Sequence, residues 1–221
     1  MTAKKSGRLD LPPGDLGRAD GRPATKEARD RERVERLTVA AFDLFTQRGY
    51  HNTPIDVLCT AANVSTRDFY KLGKTREKLM ALVYRRVTRY AELCVLRALA
   101  DAPENDSTQR IPLAIEAWVH AYTHDERYAR LAYLESVGIS DELEALRTEA
   151  HEVFSKVIRD EILRLLPDSD VTLESKLPVA LVGACNELTR DWLATKPRPP
   201  AKALEDAVKN LYDVVLHGLR A

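Results

Sequence analysis

The chain has 221 residues, 34 Lys and Arg balanced by 34 Asp and Glu, and three cysteines. That length holds a real core, as one large helical domain or a small domain joined to a larger one. No apolar run reaches the roughly 18 residues of a spanning helix, the first twenty residues lack the apolar centre of a secretory signal, and Cys59, Cys94 and Cys185 lack both metal-ligand spacing and the even count of a disulfide framework. The expected setting is therefore a reducing cytoplasm, with no membrane partner, no cofactor and no metal.

The zero net charge conceals a split. Residues 1–89 hold 19 Lys and Arg against 11 Asp and Glu, and residues 90–221 hold 15 against 23. A basic front and an acidic remainder fit a front that meets a polyanion, or simple unevenness in a charged helical chain. Residues 1–24, rich in Gly, Pro, Asp and Arg, are predicted to be a disordered arm. Its "DGRP" at 20–23 suits either an arm entering a minor groove or a solvated tail.

From Thr25 the pattern is helical. Val34, Leu37, Ala41, Leu44 and Phe45 share one face, and Gly49 suits a C-terminal cap. Thr53-Pro54 predicts the next start, with Thr as N-cap, Pro at the first helical position and Asp56 closing a capping box. That short helix has Ile55, Leu58, Cys59 and Ala62 on its apolar face. Asn63 stands where the turn needs a left-handed residue. Ser65 with Asp68 forms a second box, Gly73 ends a third helix, and Thr75 caps a longer fourth through Leu79, Leu82, Val83, Val87, Tyr90 and Cys94.

After the polar break "DAPENDSTQR", helices are predicted near 109–123, after Asp125, from Ser140 through Leu165, at about 171–195 and at 201–219. Gly138, "PDSD" and "KPRPP" separate them, and no segment shows sustained strand alternation. The fold class is all-α, about nine helices. The expected domains are the arm 1–24, a helix-turn-helix head 25–74 and a body 75–221.

Three helices over 25–72, the last two joined by a four-residue turn, follow the helix-turn-helix plan. In that plan the second helix of the pair enters the major groove and its first residues touch base edges. It must therefore show a hydrogen-bonding outer face, here Thr66, Arg67 and Lys71, while Val64 and Phe69 anchor it.

The segment "RVERLTVAAFDLFTQRGYHNTPIDVLCTAANVSTRDFYKLGKTREKLM" resembles the DNA-binding domain of TetR-family transcriptional regulators. The matching residues are Ala41, Phe45, Gly49-Tyr50, Thr53, Val64-Ser65, Phe69-Tyr70 and Arg76-Glu77 before Leu79; "ESVGIS" and "GACNELTRDWL" look like pieces of the family's body. Two positions depart: the family usually has Gly at Asn63 and an aromatic at Gly73. The resemblance implies that Ser65, Thr66 and Arg67 open the recognition helix, with Arg67 on a guanine edge. It implies phosphate-backbone contacts by Tyr70, Lys74, Lys71, Thr53 and Tyr50. It further implies a homodimer on a palindromic double-stranded operator and a small-molecule inducer acting through the fourth helix.

The last two helices are the candidate dimer surface: Leu177, Ala180, Leu181, Ala184, Cys185 and Leu188 with Gly183 beside them, then Leu204, Val208, Leu211, Tyr212, Val215 and Leu219. Both stripes also suit packing within their own chain. Candidate pocket residues are Trp118, Tyr122, Tyr133, Phe154, Asn186 and Trp192, with His120 and Glu187 as polar additions; ordinary core or surface is the alternative for each. An apolar lining favours a lipophilic or aromatic ligand. The expected function is a repressor released by such a ligand; the alternative is a helical carrier of an apolar ligand. No histidine shows HExxH spacing and no Ser or Cys sits in a nucleophile motif, so no enzyme is expected. His120 and His124 stand one turn apart without a further ligand beside them.

Overall fold

A computed structural model describes residues 25–103, 107–166 and 176–220. The predicted arm 1–24, "PDSD" and the predicted start of a helix at 171 lie outside the described residues. Among those described, nine α-helices and no strand occur, as the sequence patterning requires. The chain divides into two compact units, one ending at Val87 and the other starting at Thr88.

The first unit opens with α1 (Lys26–Arg48), capped by the Thr25 hydroxyl, which accepts from the Ala28 N–H at 3.2 Å. Its predicted stripe is buried at Leu37, Ala41, Leu44 and Phe45. Gly49, at φ 89°, stops it. Helices α2 (Ile55–Ala62) and α3 (Thr66–Lys71) follow. Asn63 between them has φ 50° and ψ 50°, the left-handed conformation that Asn tolerates better than other side-chain-bearing residues. The helix-turn-helix packs around Phe45, Leu58, Val64 and Phe69, all buried. Helix α4 (Arg76–Asp101) begins after Gly73, at φ 64°, with the Thr75 hydroxyl accepting from the Lys78 N–H at 3.1 Å. Arg86 of α4 forms a two-point ion pair with Glu35 of α1.

The second unit contains α5 (Ser107–Thr123), α6 (Glu126–Arg130), α7 (Asp141–Leu165), α8 (Leu177–Ala194) and α9 (Ala201–Arg220). Asp125 and Ser140 cap α6 and α7 as predicted. A π-helical turn, Leu131–Glu135, continues α6. The sequence gives no sign of it, because its apolar residues also fit an α-helix. α5 packs on α7 and α9, and α8 packs on α7 and α9. Ile115, Val119, Tyr122, Leu131, Leu143, Ile162, Leu181 and Val208 are among its buried residues. Arg110 is buried and donates to both oxygens of Glu161 at 2.8 and 2.9 Å and to the Leu99 carbonyl at 3.0 Å, tying α5 to α7 and to the end of α4. No helix among the described residues is long and apolar enough to cross a membrane.

Candidate nucleic-acid interface

Helix α3 has six residues, too few to stand alone. Its start is fixed by Ser65, whose hydroxyl accepts from the Asp68 N–H at 3.0 Å, and its inner side by Phe69, fully buried. With that side fixed, Ser65, Thr66, Arg67, Tyr70 and Lys71 all face solvent, Tyr70 at 60% exposure. Arg67 and Lys71 have no ion-pair partner among the described residues. The helix therefore presents a guanidinium, a phenol and an ammonium from one short capped turn, while the Thr66 side chain pairs with the Cys59 thiol behind it. Lys74 follows, half-buried, and burial together with the neighbouring Lys78 ammonium lowers its pKa.

Asp68 departs from its expected place. Its carboxylate was to close the capping box, but it lies 3.9 Å from Arg33 of α1. The acid thus turns toward a cation of its own unit, away from the outer face.

Two expected DNA contacts need correction. Tyr50 is buried, and its hydroxyl donates to Glu77 at 3.1 Å. Burial, reinforced by the Glu77 carboxylate, pushes its pKa up to about 12. Thr53 is fully buried, and its hydroxyl donates to the Gly49 carbonyl at 2.8 Å. Thr53 is also not the N-cap of α2: Pro54 holds that position, with no capping side chain. The Arg76 guanidinium lies 4.9 Å over the Tyr50 ring and donates to the Thr53 carbonyl at 3.4 Å. Both residues therefore hold the start of α4 against the loop before α2, and neither hydroxyl reaches outward.

In the second unit, Trp118, Tyr122 and Tyr133 form a buried aromatic row, with ring centroids 5.4 and 5.1 Å apart. Phe154 is half-buried on α7, and Asn186 of α8 is half-buried with its amide nitrogen 2.7 Å from His151 Nε2. Trp192 serves the loop after α8: its indole N–H donates to the Pro199 carbonyl at 2.9 Å and Arg198 lies over its ring. His120 and Glu187 are exposed, so neither converges on an interior as expected. His124 Nδ1 bonds to the His120 carbonyl at 3.0 Å. No group of three or more metal-ligating side chains occurs among the described residues.

The stripes on α8 and α9 divide. Leu181, Leu204, Val208 and Tyr212 are buried in their own unit. Tyr212 packs on Cys185, whose thiol burial pushes up to about 12. Leu177, Ala184, Leu188, Leu211 and Val215 are half-buried, and Ala180 is exposed. Beside them Val179 is 48% and Val214 72% exposed. The sequence reasoning passed over these two. Val214 stands three residues after Leu211 on the same helix, and that spacing was the available signal.

A helix-turn-helix in one unit and a larger all-α second unit define the class: the chain has the fold of TetR-family transcriptional regulators. A putatively assigned TetR-family regulator from Syntrophomonas wolfei superposes with a TM-score of 0.69 at 15% identity, over 86% of this chain and 97% of that one. The regulator FadR from Bacillus subtilis, solved in complex with stearoyl-CoA, superposes at 0.66 and 15% identity over 80% and 96%. Among curated proteins, the HTH-type transcriptional activator FasR of Mycolicibacterium smegmatis is 27% identical over 191 residues, 84% of each chain. No family model matches the chain.

Proposed function

We propose that the chain is a DNA-binding transcriptional regulator of the TetR type, a homodimeric repressor that a small lipophilic or aromatic ligand releases from a palindromic operator. The observation that carries this reading is the outer face of α3. Thr66, Arg67, Tyr70 and Lys71 stand exposed on a helix whose cap and inner anchor are both engaged. A carrier of apolar ligands has no use for such a surface. Residues 25–74 act as the head and 75–221 as the body that binds ligand and a second copy; the ligand works by binding the DNA-incompetent state better than the competent one. The stearoyl-CoA complex of FadR supports a ligand-responsive body.

The relative FasR is named an activator, and that favours a second reading in which DNA binding turns transcription on. One experiment tests the shared core. Duplex DNA from upstream of the protein's own gene is titrated with protein at several salt concentrations, beside a scrambled duplex. Binding that falls steeply with salt and is at least about a thousandfold tighter on the natural sequence supports the proposal. Equal binding to both duplexes sinks it. Transcription in vitro from the bound template then separates repression from activation.

A further inference from the structure

Helix α7 buries Leu143, Leu146 and Ile162, yet its inward side also carries polar residues on successive turns: His151, Ser155 and Arg159. Residues four apart on a helix lie one above the other. Ser155 is only 6% exposed, and its hydroxyl has no hydrogen-bond partner among the described residues. The other buried serine and threonine hydroxyls behave differently. Thr38, Thr46, Ser136 and Thr189 each donate to the carbonyl one turn back, and Thr53 donates to Gly49. Ser155 is the exception.

One turn further, the Nε of Arg159 is also buried without a hydrogen-bond partner among the described residues; it makes only a long ion pair, at 3.9 Å, with the adjacent Asp160 carboxylate. One turn before, His151 faces the Asn186 amide of α8 at 2.7 Å. Burial and the Arg147 guanidinium lower the His151 pKa, which favours the neutral ring that accepts from Asn186. Packing alone would fill these positions with apolar side chains, and a buried donor without an acceptor destabilises the fold that holds it. The Arg159 Nε–H can only donate, and the Ser155 hydroxyl can donate as well as accept. One acceptor group satisfies both, and an anionic oxygen is the acceptor a guanidinium N–H favours most.

We propose that His151, Ser155 and Arg159 of α7, with Asn186 of α8, form the polar end of a ligand site that receives the anionic head, carboxylate or phosphate, of an amphiphilic small molecule. Ser155 and Arg159 donate to the head. His151 is a positioning residue that holds Asn186. Phe154 and Ile158, half-buried on the same helix, border the apolar part of the molecule. The proposal rests on the ligand-responsive reading above and adds the chemical class of the ligand.

The test uses the full chain and three probes of equal chain length: dodecanoate, dodecyl phosphate and dodecanol. Binding is followed by tryptophan fluorescence and by the thermal midpoint. At least one anionic probe binds about tenfold or more tighter than dodecanol. Ser155→Val and Arg159→Met each remove that preference, while Ser155→Thr, which keeps the hydroxyl, retains it. Ser155→Ala serves if the valine variant does not fold by circular dichroism. Equal binding of acid, phosphate and alcohol overturns the anionic site yet leaves a ligand-responsive body standing. A preference that survives both Ser155→Val and Arg159→Met overturns the assignment to α7. Binding by none of the three overturns the proposal outright, and release of bound DNA by other compounds then decides the broader reading separately.

Discussion

Arg67 is exposed one residue into α3, where a helix in the major groove brings side chains to base edges. Arg67→Ala is expected to cost about 1–3 kcal/mol on the cognate operator and little on scrambled DNA, measured by fluorescence anisotropy. An equal loss on both duplexes would make Arg67 a backbone contact instead. Tyr50 leads to the opposite expectation. Its hydroxyl is occupied by Glu77 inside the first unit. Tyr50→Phe should lower the unfolding free energy by about 1–2 kcal/mol in urea and leave the salt dependence of DNA binding unchanged. A slope flattened by about one would return the phenol to the phosphate backbone. The contrast marks what was legible at this scale. Ser65, Asn63, Val64 and Phe69 were legible because caps, left-handed turns and apolar anchors are local events with local residue preferences. Thr53 was not. A Thr-Pro pair has the chemistry of a helix start, but here the hydroxyl finds a carbonyl acceptor in the buried loop and the cap passes to Pro54. Asp68 misled in the same way, since its alternative partner Arg33 lies 35 positions earlier, beyond any local rule.

At the scale of elements, periodicity located the helices well, because a 3.6-residue repeat records which side is apolar. It does not record what covers that side. The stripes of α8 and α9 were continuous in sequence, yet Leu181, Leu204, Val208 and Tyr212 serve their own core while Val179 and Val214 remain outside. The Arg110–Glu161 pair was equally illegible, since the two residues are 51 positions apart and both read as surface charges. In the structure their side chains are 7% and 12% exposed, and the fork of the guanidinium meets both carboxylate oxygens. A buried pair of this kind is weak evidence of net stabilisation, but removing one member strands the other. Arg110→Ala should therefore lower the unfolding free energy by about 3–5 kcal/mol, read from urea denaturation followed by circular dichroism. A loss under about 1 kcal/mol would mean that water reaches Glu161 and that the pair behaves as a surface bridge.

At the scale of the molecule, the palindromic operator proposed above calls for two heads, and each chain supplies one. Binding two half-sites through linked heads gains about 10²–10⁴ in affinity over a single head without any new contact. The surface that links two copies must be apolar, exposed in one chain and free of a task in its own core. Val214 meets these conditions at 72% exposure, with half-buried Leu211 and Val215 on the same helix and exposed Ala180 and Val179 on α8. Small and β-branched residues there permit close approach of helices related by a two-fold axis. Val214→Glu leaves the core untouched, because an exposed position contributes little to folding. In a symmetric pair each contact repeats, so a single substitution places two carboxylates in the joint at once. Wild-type protein at micromolar concentration should therefore be a dimer by light scattering, and Val214→Glu a monomer with unchanged helical content. Its affinity for a full operator should fall toward that for a half-site, with Arg67 still discriminating bases within the half-site. A variant that stays dimeric would place the joint elsewhere, and a monomeric wild type would remove the two-headed reading altogether.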